Sequence, residues 1–207
     1  MRLVLGSASP RRRELLTGLS VEFEVDPSEA VERRAQIGEE PSNYALSLAL
    51  AKANEVAARR PDAVVLSADT IVVLGTIILG KPASETDACE MLSLLCGRTH
   101  QVITAVVAQD ANKQFRGLVS TEVTMAPAHN DQLRAYIASG EPMDKAGAYA
   151  IQGLGGALVA SISGCYTNVV GLPLCLTSRL LQRWNIGPAR IVCVHSENAF
   201  LSAEATL

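Results

Sequence analysis

Short apolar runs and longer amphipathic stretches succeed one another along the chain. The apolar runs predict buried strands, and a period-two alternation adds one more, so that the predicted strands are 2–6, 21–25, 63–74, 100–109, 115–125 and 157–162. Apolar residues three or four positions apart predict helices over 10–19, 41–59, 84–95, 130–139 and from 174 through 184. A polar turn at 110–113 joins two of the strands and indicates an antiparallel hairpin.

Three stretches depart from this regular pattern. Residues 26–40 are polar and predict a mobile loop, whereas residues 144–156 hold too many glycines for a regular element. Within the run at 63–74, Asp69 and Thr70 interrupt the apolar sequence, so we expect the strand to end or bend there. The long second helix is predicted to present an apolar face formed by Tyr44, Leu48, Ala51 and Val56.

The helix predicted at residue 10 begins on three consecutive arginines. Ser9 is a favoured N-cap and Pro10 is favoured at the first helical position, but cations are unfavourable at the positive end of the helix dipole. A bound phosphate would reverse that sign, because backbone N–H groups and guanidinium groups both attract an anion. The alternative is that the arginines are simply solvated. The order of strand, small-residue loop and helix favours the anion site, since ligands of open α/β sheets bind at the carboxyl ends of strands.

A carboxylate and two lysines are further candidates for chemistry. Asp69 lies between apolar residues, so we expect its carboxylate to be partly desolvated, which is costly without a partner. It is a candidate general base or metal ligand, and the structural alternative is that it braces a turn. Lys81 and Lys145 each lie in a glycine-containing turn, where a lysine is usually solvated. Together with the arginines, these groups suit a polyphosphate with magnesium.

Composition excludes several function classes. The 207 residues are 48% hydrophobic and can bury a core, and the net charge of −3 argues against a general binder of nucleic acids or membrane surfaces. Aromatic residues make up only 4%, which leaves little for base stacking. The five cysteines lack a CxxC pair and the three histidines are scattered, so neither a disulfide framework nor a zinc site is supported. We expect a cytoplasmic protein without a membrane span or signal peptide.

Familiar nucleotide and nucleophile motifs are missing from the sequence. There is no GxxxxGK[ST] loop, and the glycines at 153–156 do not follow a dinucleotide-binding pattern. GxSxG is absent, and no pairing of cysteine with histidine indicates nucleophilic catalysis. By motif, the chain is therefore neither a P-loop enzyme nor a Rossmann oxidoreductase.

Six ordered motifs resemble the Maf family of nucleoside triphosphate pyrophosphatases. They span roughly residues 2–184 and read SASPRRREL, SADTIVV, GKP, GRTHQVITAV, EPMDKAGAYAIQG and NVVGLP. The resemblance implies an α/β fold with an elongated, twisted mixed sheet flanked by helices, and two lobes around a central cleft, similar to the inosine triphosphatase-like enzymes. It also implies hydrolysis of a nucleoside triphosphate between the α and β phosphates with a divalent metal, Mg²⁺ or Mn²⁺, and often a homodimer.

The same resemblance implies roles for individual residues. Asp69 matches the proton acceptor of the family, and the catalytic residues expected with it are Lys52, Lys81 and Lys145. The residues expected to bind substrate are Ser7, Arg11, Arg12, Thr70 and Gln152, of which Arg11, Thr70 and Gln152 match positions associated with substrate choice. We expect Arg11 and Arg12 to face the triphosphate and Arg13 to face solvent. The candidate metal ligands are Asp69 and Glu32, and Val31 stands where the family has an acidic neighbour before Glu32.

The resemblance also narrows the substrate and the domain limits. SPRR, ADT and IQG look like the branch acting on dTTP and UTP, with modified pyrimidine nucleotides as further candidate substrates. We expect one pyrophosphatase domain over 1–186 and an extension over 187–207, in which 191–194 are a candidate strand. The alternative function is a nucleotide-binding regulator of septum formation with little turnover, and the intact set of Asp69, Lys81 and Lys145 favours the enzyme.

Overall fold

The computed structural model describes residues 1–188 and the strand at 199–206. Within these residues, six α-helices pack on the two faces of one eight-stranded mixed sheet. The strands are β1 (Arg2–Leu5), β2 (Glu24–Val25), β3 (Ala63–Leu74), β4 (Ile77–Leu79), β5 (Thr99–Gln109), β6 (Lys113–Met125), β7 (Val159–Ser163) and β8 (Ala199–Thr206). The helices are α1 (Pro10–Thr17), α2 (Pro41–Arg59), α3 (Glu85–Leu95), α4 (Asn130–Ala138), α5 (Tyr166–Val170) and α6 (Leu174–Leu181).

Three long strands form the centre of the sheet. Its main path runs β2-β1-β3-β5-β6-β7, with β4 paired to β3 and β8 paired to β6. β1 is parallel to β2 and β3, whereas the pairs β3–β5, β5–β6 and β6–β7 are antiparallel. The expected α/β fold with an elongated mixed sheet flanked by helices is therefore confirmed, and so is the hairpin of β5 and β6.

One face of the sheet is covered by α2. Ile71 and Val73 of β3 pack there against a stripe of fully buried small residues, Ala45, Ala49 and Ala53. Ala51, predicted to lie on the apolar face of this helix, is exposed. Two positions turn a helix by about 200°, so a stripe built on every fourth residue directs Ala51 to solvent.

The opposite face carries two apolar clusters, one for each lobe. Leu66 and Ala68 of β3 pack with buried leucines of α1 and α6. Val72, further along the same strand, packs with α3 and α4. Thr70 lies between the two clusters, because alternate residues of a strand share a face. The two lobes thus share the long strands and separate near Thr70.

Three short elements differ from the prediction. β2 comprises two residues instead of five, because β1 offers it only the pairs Val4 with Glu24 and Leu5 with Val25. Val21 and Phe23 form no strand pairs, and they pack against the apolar cluster that contains the buried leucines of α1 and α6. β4 and α5 were not predicted, since three and five residues are too few to show a period.

β3 runs through Asp69 and Thr70 without the expected end or bend. Asp69 pairs with Ala105 and Thr70 with Thr104 in register with β5. Backbone pairing is indifferent to side-chain polarity, and both side chains find polar partners, so nothing forces the strand to stop. The structural alternative, in which Asp69 braces a turn, is therefore wrong.

The irregular stretches were largely anticipated. Residues 26–40 contain neither helix nor strand, whereas their mobility stays a prediction. Residues 144–156 contain only 3₁₀ turns and bends. The candidate strand at 191–194 lies outside the described residues. Among the described residues, no helix combines the length and the apolarity needed to cross a bilayer.

A buried histidine lies in the core of the α3–α4 lobe. His100 of β5 is 2% exposed, and its Nε2 forms a hydrogen bond of 2.8 Å with the hydroxyl of Tyr149. Its Nδ1 has no hydrogen-bond partner among the described residues. Burial lowers the pKa of His100 to about 4, because the charged form would lose its hydration.

Acid should therefore weaken the fold through His100. At pH values between about 4 and 6.5, His100 is protonated in the unfolded chain but neutral in the native state. The free energy of unfolding therefore falls as pH falls through this range. Between pH 7 and pH 5, we expect the free energy of unfolding to fall by about 2 kcal/mol more in the parent than in His100→Gln. Urea unfolding at both pH values measures it, and His129→Gln, at an exposed position, is the control. Equal pH slopes in the parent and His100→Gln would contradict the assignment.

Candidate active site

The cleft opens where the sheet divides along one edge of β3. On that edge β3 pairs with β1 over 63–66 and with β4 over 72–74, so residues 67–71 have a strand partner only on the β5 side. The Gly6 N–H donates to the Leu66 carbonyl at 2.8 Å, and the chain then leaves the sheet towards α1. A cavity of about 670 Å³ lies at this fork.

The fork brings together all the residues to which the resemblance gives a catalytic, substrate-binding or metal-binding role. These ten residues line the cavity: Ser7, Arg11, Arg12, Glu32, Lys52, Asp69, Thr70, Lys81, Lys145 and Gln152. Six cationic side chains face three carboxylates in the lining, although the whole chain has a net charge of −3. This local excess of positive charge favours a polyanionic ligand.

The arginines at the start of α1 have three different environments. The Ser9 hydroxyl caps the helix by accepting from the Arg12 N–H at 3.4 Å. Arg13 is exposed, as expected. Arg11 lines the cavity, and within the described residues its guanidinium forms no hydrogen bond or ion pair. Arg11 is therefore the arginine with its donors open to an anion.

Arg12 is held by the protein itself. Its Nη1 donates to the Ala68 carbonyl at 2.8 Å and to Ser7 Oγ at 3.2 Å, and its Nε donates to the Gly171 carbonyl at 2.9 Å. Its Nη2 donates to Thr70 Oγ1 at 3.1 Å. These bonds use four of the five N–H groups of the guanidinium, which leaves one N–H for a ligand. A direct contact of Arg12 with the triphosphate stays a prediction.

Lys52 links two carboxylates at the bottom of the cleft. Its Nζ lies 2.5 Å from Asp69 Oδ1 and 2.6 Å from Glu32 Oε1. The Asp69 side chain is 8% exposed and that of Glu32 is 42% exposed. Lys81 Nζ lies 3.7 Å from the second oxygen of Glu32. The loop at 26–40 thus contributes Glu32 to the same cluster.

The two carboxylates differ in acidity. Burial raises the pKa of Asp69, and this effect outweighs the nearby charges of Lys52 and Arg12. Burial also acts to raise the pKa of Glu32, but the hydrogen bond and charge of Lys52, together with Lys81, hold that pKa below its usual range. Glu32 is therefore the weaker base, and Asp69 is the group better suited to accept a proton.

The two turn lysines have unlike surroundings. Lys81 is 57% exposed, as is usual for a lysine in a turn. The Lys145 side chain is only 11% exposed, contrary to that expectation. It contacts the Asp144 carboxylate and donates to the Glu141 carbonyl at 3.3 Å. Lys145 is thus held against the wall of the cavity, whereas Lys81 projects from its rim.

Glu141 and Tyr136 anchor the glycine-rich loop that carries Gln152. The Glu141 carboxylate accepts from the Leu154 N–H at 3.0 Å, from the Gly155 N–H at 2.9 Å and from the Tyr136 hydroxyl at 2.9 Å. A Cβ at Gly155 would lie 2.5 Å from that hydroxyl, so only glycine permits this approach. The loop therefore lacks a regular element, but Glu141 and Tyr136 connect it to α4.

Sequence reasoning missed some residues of the site. Arg34 lines the cavity from the loop at 26–40, where nothing in the sequence fixed which charges face inward. Tyr149 also lines it and lies inside the EPMDKAGAYAIQG motif, as does Glu141. Their place in that motif was the only indication in the sequence that Tyr149 and Glu141 belong to the site. How each one contributes depends on the way the loop packs.

The carboxylates present fit a metal that is shared with a ligand. Among residues 1–188 no group of three or more histidine, cysteine or acidic side chains forms a complete metal site. Mg²⁺ seldom needs one, since it is commonly held by one or two carboxylates together with phosphate oxygens and water. Asp69 and Glu32, which contact the same ammonium group, are the carboxylates placed for this.

Comparison with known proteins assigns the chain to a family. Residues 2–184 match the family described as Maf-like protein. A dTTP/UTP pyrophosphatase of Moorella thermoacetica is 50% identical over 190 residues, covering 89% of this chain and 96% of the relative. Those of Salmonella typhimurium and Symbiobacterium thermophilum are 50% and 46% identical, covering 88% of this chain and 93% and 94% of their own. The chain belongs to the Maf family.

Proposed function

We propose that this protein hydrolyses dTTP and UTP, and modified pyrimidine nucleoside triphosphates, to the monophosphate and pyrophosphate. The observation that carries the proposal is the cluster of Asp69, Lys52 and Glu32 in a cation-rich cleft. The names of relatives that are 43–50% identical agree with it. A regulator with little turnover would not need a buried carboxylate of raised pKa beside phosphate-binding cations.

The cations of the cleft are suited to hold the triphosphate. Arg11 offers unpaired N–H groups at the start of α1, where the helix dipole adds to its charge. Lys81 and Lys145 lie on turns across the cavity, and Ser7 offers a hydroxyl from the loop before α1. In this arrangement the cations stabilise the charge that develops on the departing pyrophosphate.

Asp69 is placed to prepare the attacking water. Its carboxylate is buried against Lys52, and its raised pKa makes it a better proton acceptor than an exposed aspartate. The alternative role, direct metal binding, uses the same oxygens. A divalent ion, Mg²⁺ or Mn²⁺, held by Asp69 and Glu32 would supply charge neutralisation at the phosphates.

Several wider expectations belong to the same proposal. The pyrophosphatase domain spans 1–186, and 187–207 is an extension whose β8 adds a strand beside β6. The protein acts in the cytoplasm as a homodimer, without nucleic-acid or membrane partners. Free thiols at Cys89, Cys96 and Cys165 are consistent with a reducing compartment.

Product identity tests the reaction. Because the cations are expected to gather on the β and γ phosphates, cleavage of UTP and dTTP should release pyrophosphate and the nucleoside monophosphate in equal amounts. Anion-exchange chromatography with ³¹P NMR measures both products, with and without Mg²⁺. Release of orthophosphate and the nucleoside diphosphate would contradict the proposal.

Asp69→Asn tests the proton acceptor. The change keeps the size of the side chain but removes its charge and most of its basicity, so kcat should fall by about 10²-fold or more. Affinity for a non-hydrolysable α,β-methylene analogue of UTP should change much less. Asp62→Asn, at an exposed aspartate 3.8 Å from Arg2, is the matched control. Near-normal turnover by a folded Asp69→Asn would remove Asp69 from the mechanism.

Gln152→Ala tests the reading of the base. An amide both donates and accepts, so it can pair with the O4 and N3–H edge that uracil and thymine share, whereas cytosine presents the opposite pattern. We expect the parent to prefer UTP and dTTP over CTP, and the variant to lose this ratio by more than it loses rate on the best substrate. Measuring kcat/KM for the three nucleotides decides it, with Gln101→Ala, at an exposed position of β5, as control. An equal loss on every substrate would place Gln152 in the shared scaffold.

A further inference from the structure

A chain of hydrogen bonds runs from the protein interior to the cavity through two threonines. Thr104 of β5 is fully buried, and its hydroxyl lies 2.9 Å from the Asn168 carbonyl and 2.9 Å from the hydroxyl of Thr70. Thr70 lines the cavity and lies 3.1 Å from Arg12 Nη2. Thr104 therefore stands behind Thr70 as its partner on the neighbouring strand.

Chemistry fixes the direction of every hydrogen bond in this chain. A carbonyl only accepts, so the single hydrogen of Thr104 is given to Asn168. Thr104 must then accept from Thr70, which uses the single hydrogen of Thr70. A guanidinium only donates, so Thr70 also accepts from Arg12. One lone pair of the Thr70 hydroxyl remains, and Thr70 can offer a ligand an acceptor but no donor.

Both ends of the chain are clamped. The Asn168 side chain is buried and donates to the Val102 carbonyl at 2.8 Å and to Thr121 Oγ1 at 2.9 Å, which holds its backbone in place. At the other end, Arg12 is held by the carbonyls of Ala68 and Gly171. Reversing the Thr70 hydroxyl would leave the Thr104 oxygen without its donor in a dry environment, which is costly.

We propose that Thr104 is a specificity-determining positioning residue, which acts by keeping Thr70 an obligate hydrogen-bond acceptor. This inference rests on the proposed function. An acceptor at this wall selects a base that presents an N–H there, as uracil and thymine do at N3. Thr70 and the amide oxygen of Gln152 would share that single N–H in a three-centre hydrogen bond. The N3 atom of cytosine is itself an acceptor, so it would meet the Thr70 lone pair unfavourably.

Thr104→Val tests the inference, because valine keeps the shape and removes only the hydroxyl. The Thr70 hydrogen is then released from Thr104 and becomes free to donate to cytosine N3. We expect the ratio of kcat/KM for UTP over CTP to fall by about tenfold, mainly through a gain on CTP. Thr104→Ser restores the hydroxyl and should restore the parent ratio.

A second threonine pair in the same sheet provides a matched control. Thr99 and Thr124 of β5 and β6 share a hydrogen bond of 2.9 Å on an exposed part of the sheet. Thr124→Val removes an equivalent bond and should leave the UTP-to-CTP ratio unchanged. If Thr104→Val fails to fold, Thr104→Cys replaces it under the same criterion, since a thiol is a weak donor and acceptor.

The outcomes separate this inference from the proposed function. An unchanged ratio, or an equal loss on both nucleotides, in a folded Thr104 variant overturns the role of Thr104 while the parent still cleaves UTP. Failure of the parent to release pyrophosphate from UTP and dTTP overturns the proposed function instead. A shifted ratio that Thr104→Ser restores supports the inference.

Discussion

The gap in strand pairing along one edge of β3 is the constraint on which the site depends. The pairing of β3 with β1 stops at Leu66 and its pairing with β4 starts at Val72, so the Ala68 carbonyl between them lacks a strand donor. A buried carbonyl without a donor is costly, and Arg12 supplies one from α1. A guanidinium is suited to this task because it carries several donors in one plane and stays charged. Arg12, whose charge is unfavourable at the start of a helix, therefore donates the hydrogen bond that a neighbouring strand would otherwise give to β3.

The same gap explains how adjacent residues of one strand serve one cleft. Asp69 and Thr70 point to opposite faces of β3. Asp69 points towards α2, where it bonds to Lys52, and Thr70 points towards α5, since its partner Thr104 bonds to the carbonyl of Asn168. In a fully paired strand, side chains on opposite faces belong to separate layers. Where the edge is open, a ligand can reach both. The fork thus places Asp69, the proposed proton acceptor, and Thr70, the proposed specificity residue, within one cavity.

Periodicity predicted the long elements and failed where tertiary contacts decide. The extent of α2 and the β5–β6 hairpin follow from repeated apolar positions. The continuity of β3 through Asp69 does not, since it depends on β5 pairing beside it and on Lys52 beneath it. Residue types alone singled out the arginines, Asp69 and two lysines, and the resemblance added the other site residues that line the cavity. Neither showed that Arg12 is bonded within the protein or that Glu141 anchors the loop. Those facts depend on contacts between segments far apart in the sequence.

The two carboxylates bound to Lys52, those of Glu32 and Asp69, differ in exposure, and this difference bears on how the proposed substrate would bind. Both neutralise Lys52, and without them the cations of the cleft would repel one another. The pair with Glu32 is partly exposed, so solvent screens it and it is weak, whereas the pair with Asp69 is buried. Glu32 also comes from a segment without helix or strand, so its side chain can move without disturbing the core. In the proposed function, a phosphate of the substrate would compete with Glu32 for Lys52 and Lys81 and would leave the bond between Lys52 and Asp69 in place.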